Sequence, residues 1–228
     1  MEGVSRYAVY WMPEGALAEK GAEWLGWDAW RGRALAPPDL PGLPRPAADL
    51  TVRPRKYGLH ATLKPPMVLA QGHSADALTG AVAALAARTA PAEAEALEVA
   101  GLGRFVALRP VGETAGIARV AAACVSELDA FRAPPAEADL ARRRAAGLTP
   151  AQEAHLARWG YPYVFEEFRF HVTLTGPLDE AEVAPVARVL GAHFGGLVPR
   201  PFRLDTLALC GEGADGRFRV LGHWPLTG

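Results

Sequence analysis

The hydrophobic and polar positions of this chain follow two alternating periods, one of strands and one of helices. Residues 6–12 (RYAVYWM) are aromatic and β-branched and stop at Pro13, which predicts a first strand. Residues 15–30 put Leu17, Trp24 and Leu25 on one helical face. Residues 36–46 (APPDLPGLPRP) hold too much proline for a helix or a central strand. Residues 55–64 predict a strand closed by Pro65-Pro66. Ser74 then caps a helix with Leu78, Val82 and Leu85 at i, i+4 and i+7. Two apolar strands follow, near 97–100 and 104–110. A helix over 114–131 leads to a strand over 164–175, closed by Gly176-Pro177. Asp179 and Glu182 have the spacing of a capping box, and their helix carries Val183, Val186, Leu190 and Phe194 on one face. Strands over 202–210 and 217–226 come last.

Strand, helix, strand, strand thus occurs twice, offset by about half the chain, and a helix precedes each copy. The short turn between the last two strands of each copy favours antiparallel pairing over a doubly wound parallel sheet. The expected fold class is α+β: one bilobal domain over 1–228, a duplicated module with two antiparallel sheets facing a central cleft and helices outside. Residues 131–163 break the symmetry as an inserted helical hairpin. Pro134-Pro135 starts its first helix, which runs through Arg142-Arg143-Arg144 to Gly147. Thr149-Pro150-Ala151-Gln152 starts the second. The hairpin is either a lid or a surface excursion with a solvated arginine face.

Composition narrows the classes. The 228 residues are 50% hydrophobic and 21% charged, enough to bury a core. Lys and Arg number 24 against 25 Asp and Glu, so no chain-wide attraction for nucleic acid exists and a general RNA-binding module is disfavoured. No run approaches the ~18 apolar residues of a membrane span, and residues 1–6 lack the basic start and apolar stretch of a secretory signal. Cys124 and Cys210 sit in apolar stretches outside any CxxC pair and read as buried thiols of a reducing compartment. The expected location is the cytoplasm.

Candidate chemistry lies in the two copies of His-x-Thr-Leu, in Gly58-Leu59-His60-Ala61-Thr62-Leu63-Lys64 and Arg169-Phe170-His171-Val172-Thr173-Leu174-Thr175. Residues i and i+2 of a strand share a face. His60, Thr62 and Lys64 therefore form one polar row, and Arg169, His171, Thr173 and Thr175 form another. If the two lobes face each other, both rows line one cleft. A lone His-x-Thr is a weak signal; two copies at equivalent points of a repeat are a strong one.

The paired motifs resemble those of the two-histidine (2H) phosphoesterase superfamily, which includes RNA ligase-like and cyclic phosphodiesterase-like proteins. Residues 53–64 (RPRKYGLHATLK), 131–134 (FRAP) and 159–163 (WGYPY) are similar to a bacterial branch associated with phosphonate-utilisation operons. Where that branch commonly carries Lys-Ala-Pro after its first motif, this chain has Lys64-Pro65-Pro66. The resemblance implies a bilobal antiparallel fold and metal-independent phosphodiester chemistry, with no cofactor.

The residues support the same chemistry. Two imidazoles can serve as general base and general acid near neutral pH. Thr62 and Thr173 can donate hydrogen bonds to the non-bridging oxygens of the transition state. Lys64 and Arg169 are substrate-binding candidates that could equally be solvated strand-end charges. Tyr57 and Tyr163 are candidates for stacking on a base or touching sugar, with core packing open for Tyr57. His73, His155, His193 and His223 have no motif partners. No HExxH or clustered His/Cys/Asp spacing suggests a metal, and no GxxxxGK[ST] suggests a P-loop. The expected function is a metal-independent phosphodiesterase acting on a small-molecule cyclic phosphate, a nucleotide or an RNA end. The alternative is a non-catalytic phosphate- or nucleotide-binding regulator on the same scaffold. Neither a membrane nor an obligate protein partner is expected.

Overall fold

A computed structural model describes residues 3–228. In chain order its first part comprises Arg6–Trp11 (β1), Gly15–Leu25 (α1), Trp27–Asp28 (β2), Arg33–Ala34 (β3), Ala47–Leu50 (α2), Val52–Arg55 (α3), Ala61–Met67 (β4) and Ala75–Arg88 (α4). Next come Ala92–Ala94 (β5), Ala96–Leu102 (β6), Phe105–Val111 (β7) and Ala115–Glu127 (α5). The inserted segment holds Glu137–Arg144 (α6) and Pro150–Trp159 (α7). The remainder is Val172–Thr173 (β8), Glu180–Phe194 (α8), Phe202–Leu204 (β9), Thr206–Glu212 (β10) and Phe218–Pro225 (β11).

Local chemistry sets the helix ends. Ser74 Oγ accepts from the Ala77 amide at 3.1 Å at the start of α4. Thr149 with Gln152, and Asp179 with Glu182, form reciprocal capping boxes on α7 and α8. Helix α1 stops five residues short of the 15–30 reading. Gly26 takes a left-handed φ of 75° there and its amide caps Ala22 and Glu23.

The architecture is α+β, with antiparallel sheet and helices packed against it. The main sheet runs β11-β10-β1-β4-β8-β7-β6. Among the described residues its two halves join only at Ala61 opposite Val172, so the two expected sheets are continuous through a single residue pair. The copies also exchange partners. The first motif strand, β4, belongs with β1 and the late strands β10 and β11; the second, β8, belongs with the early strands β7 and β6. Helix α4 packs on β10 and β11, α8 on β6 and β7, and α5 behind β4.

Strand β1 sorts side chains to both faces. Tyr7, Val9 and Trp11 enter the large core under the helices, with Leu63, Leu108, Val172 and Leu190. Ala8 and Tyr10 enter a smaller cluster on the opposite face, with Trp27, Ala208 and Phe218. Both cysteines are free and buried.

Two expected strands differ. The segment read as a strand over 55–64 is helical over Val52–Arg55 and extended only from Ala61, and the strand passes through Pro65 and Pro66 to Met67. The register on β1 slips as it does so: Tyr10 faces Thr62, Val9 faces Lys64 and Tyr7 faces Met67. These bulges leave Pro65 and Pro66 outside the regular pairing, where their missing N–H groups are not needed. The second motif strand shrinks from 164–175 to Val172–Thr173, because a 3-10 turn over Phe165–Glu167, with Phe165 at φ 53°, precedes it.

Candidate active site

The single pair joining the half-sheets also organises the site. With Ala61 opposite Val172 in an antiparallel ladder, one step along sets His60 beside Thr173 and Thr62 beside His171. Ala61 and Val172 are fully buried towards the helices, so the four motif side chains take the other face. The two histidines are diagonal neighbours, which in such a ladder stand ~7–8 Å apart, within reach of long side chains.

Each imidazole is anchored the same way. His60 Nδ1 donates to the carbonyl of Gly58 at 3.0 Å, and His171 Nδ1 donates to the carbonyl of Arg169 at 2.7 Å. A carbonyl only accepts, so each Nδ1 carries a hydrogen and each Nε2 is left for other work. In His60 that Nε2 accepts from Thr62 Oγ1 at 3.2 Å. Gly58 has φ +74°, and a Cβ there would stand 2.7 Å from the Cβ of Ala29; the anchor therefore needs glycine.

Aromatic rings flank both histidines. The His60 ring lies 4.1 Å from Tyr10 and 5.4 Å from Tyr57, and the His171 ring lies 5.7 Å from Phe105. Burial lowers the His60 pKa to about 4; the Gly58 carbonyl opposes that shift and the nearby His171 adds to it. His60 is thus neutral at pH 7. The Tyr10 hydroxyl is buried without a hydrogen-bond partner among the described residues, and its desolvation pushes the phenol well above its ordinary range.

A cavity of about 480 Å³ opens over this face. His60, Thr62, Thr173 and Thr175 line it with Tyr10, Tyr57, Tyr161 and five arginines, and among the described residues no Asp or Glu does. His171 is not among the lining residues, but Phe105, against which its ring packs, is. Thr175 Oγ1 accepts from the Val106 amide at 3.0 Å and holds the strand end.

Of the further substrate-binding candidates, Tyr57 lines the cavity and three do not. Lys64 points the other way, because the bulge reverses its parity: it faces Val9, and Leu63 and Lys64 both turn towards the helices. Its Nζ donates to the Val125 carbonyl at 2.9 Å and lies 3.8 Å from Asp129; burial lowers its pKa to about 8. Arg169 precedes the shortened strand and is exposed, its Nη1 donating to the carbonyls of Glu166 and Phe168. Tyr163 is 43% exposed and stands edge-on to Tyr161, the tyrosine of the pair that reaches the cavity.

Parity on β1 could have found Tyr10, which sits opposite Thr62. No sequence signal brought Arg6, Arg53 or Arg104 to the cleft. The inserted arginines were legible as a helix face but not as cavity lining. Among the described residues, no group of three or more His, Cys, Asp and Glu side chains comes together as a metal would need, and no helix is long and apolar enough to cross a membrane.

Comparison with known proteins places the chain in a family. A family model described as "Protein of unknown function (DUF1045)" matches residues 62–219, and the chain belongs to that family. A curated relative from Janthinobacterium sp. (strain Marseille), described as "Ribose 1,5-bisphosphate phosphokinase PhnN", is 36% identical over 222 residues, covering 94% of this chain and 49% of the relative. The chain spans about half the length of the curated relatives it matches. Among solved structures, one described as a phosphoesterase is 16% identical with a TM-score of 0.45, covering 98% of this chain and 99% of the other. Escherichia coli LigT complexed with 3′-AMP is 19% identical with a TM-score of 0.43 and full coverage of both chains.

Proposed function

We propose that this chain is a 2H-type phosphoesterase that cleaves a phosphodiester without a metal ion, His60 acting as general base and His171 as general acid. The observation that carries this reading is the Ala61–Val172 register, which supports two imidazoles and two threonines gathered around one position. Neutral His60 accepts the proton of an attacking water through Nε2. The water oxygen bonds to phosphorus, the ester P–O bond breaks, and the departing alkoxide takes a proton from His171 Nε2. Thr62 and Thr173 donate to the non-bridging oxygens as charge gathers there. In a cyclic ester one ester bond opens and the product is a phosphomonoester.

The substrate class follows from the cavity and the relatives. About 480 Å³ suits a small molecule better than a long polymer. The relatives' name concerns a phosphorylated ribose, which favours a ribose cyclic phosphate over an RNA end. The chain has no GxxxxGK[ST], so we assign it no ATP-dependent phosphoryl transfer. Turnover of a panel of 2′,3′-cyclic nucleotides and ribose cyclic phosphates tests the reading. His60→Ala and His171→Ala are each expected to lower kcat by about 10²–10⁴-fold. Full activity in either variant would overturn it, and tight binding without turnover by the intact chain would move the protein to the regulator class.

A further inference from the structure

We propose that the cleft contains a second anion subsite, built by Arg143 of the inserted helix α6 and Arg53 of α3, which takes a terminal phosphomonoester carried by the same substrate as the reacting phosphodiester. The inference rests on the His60–His171 reading and narrows its substrate class.

Five arginines reach one cavity that no carboxylate lines among the described residues. Three of them are already paired. Arg6 grips Glu212 through two contacts of 2.5 and 2.7 Å, Arg142 is 2.6 Å from Asp139, and Arg104 is 3.6 Å from Asp179. Among the described residues, neither Arg53 nor Arg143 has a carboxylate within 4.0 Å. Arg143 is also ordered: its guanidinium lies over the ring of Tyr161, 4.5 Å from the centroid, and that tyrosine lines the same cavity. A guanidinium held against a ring in this way keeps several N–H donors, enough to grip an anion by two of them.

Charge matching then selects the occupant. A phosphodiester carries a single negative charge, and the imidazoles and threonines already receive it. Two further uncompensated guanidinium groups match the charge of about −1.5 to −2 that a phosphomonoester carries at neutral pH. The Tyr57 ring packs 5.4 Å from the His60 ring and lines the cavity together with Tyr161 and Arg143, so the same cavity offers aromatic surface to an intervening sugar. Residues 131–163 would thereby set specificity.

The test uses matched cyclic phosphates of adenosine and of ribose, each with and without a 5-phosphate. The intact protein is expected to show kcat/KM at least about tenfold higher for the 5-phosphorylated member, the size of one charge-assisted contact. Arg143→Gln and Arg53→Gln are expected to cut that ratio to near one. Arg144→Gln, whose arginine pairs with Glu153 outside the cavity, is expected to keep it. A ratio near one in the intact protein, or one unaltered in R143Q and R53Q, would overturn the subsite. If no cyclic phosphate is turned over, the catalytic reading fails and calorimetry with ribose 5-phosphate decides the subsite. Binding weakened about tenfold in both variants would uphold it, and equal binding in all chains would refute it.

Discussion

At the scale of single residues, the site depends on which side chains are kept dry. His60 is the buried partner, with a pKa of about 4 in the folded chain against about 6.5 for an exposed imidazole. Between these values the unfolded chain binds a proton that the folded chain does not. Stability from this group is therefore full above pH 6.5 and is lost as pH falls towards 4, by on the order of 3 kcal/mol. Urea unfolding at pH 7 and pH 4.5 is expected to show a smaller acid loss in His60→Gln than in the parent; equal losses would mean the imidazole is not held neutral. The same burial should carry the acid limb of kcat/KM down towards pH 4, well below an ordinary histidine limb, in a pH–rate profile. Lys64 makes the opposite case, a cation that simple alternation would put in the cleft and that the bulge turns to the other side. Lys64→Met should lower stability by about 1–2 kcal/mol, because one charge-assisted bond to Val125 is lost. Asp129 keeps Arg132 at 2.8 Å and Arg158 at 3.3 Å. The change should leave kcat/KM within about threefold; a large kinetic loss in a stable variant would return the amine to the cleft.

At the scale of elements, the His-x-Thr rows were legible because strand parity needs only local sequence. What defeated parity was equally local in cause but invisible in pattern. Pro65 and Pro66 do not close β4; they bulge it, and the bulge turns Lys64 inward. The 3-10 turn before β8 removes Arg169 from the extended row. Caps fared better, since Ser74, Thr149 and Asp179 satisfy helix amides through bonds that span three residues. The approach to β4 offers its own test. Gly58→Ala adds a methyl group at φ +74° against Ala29, and its carbonyl anchors His60. We expect a loss of about 1–3 kcal/mol in unfolding free energy, together with a fall in kcat larger than that in KM. An unaltered stability and rate would show that the anchor is not constrained.

At the scale of the whole molecule, the duplication was readable but the exchange of strands was not. Nothing in residues 202–225 says that β10 and β11 will extend the half-sheet of β4 and leave β8 to the strands of the first copy. Pairing of this kind is decided by packing of α4 on β10 and β11 and of α8 on β6 and β7, which no local period encodes. The exchange has a structural consequence, since it brings the two motif strands together at the centre of one sheet. A crystal structure with vanadate bound would examine that arrangement most directly. The metal oxyanion is expected to sit between the Nε2 atoms of His60 and His171, each about 3 Å from an oxygen, with the Thr62 and Thr173 hydroxyls on the equatorial oxygens. Vanadate bound elsewhere, or contacting one imidazole while the other turns away, would contradict it.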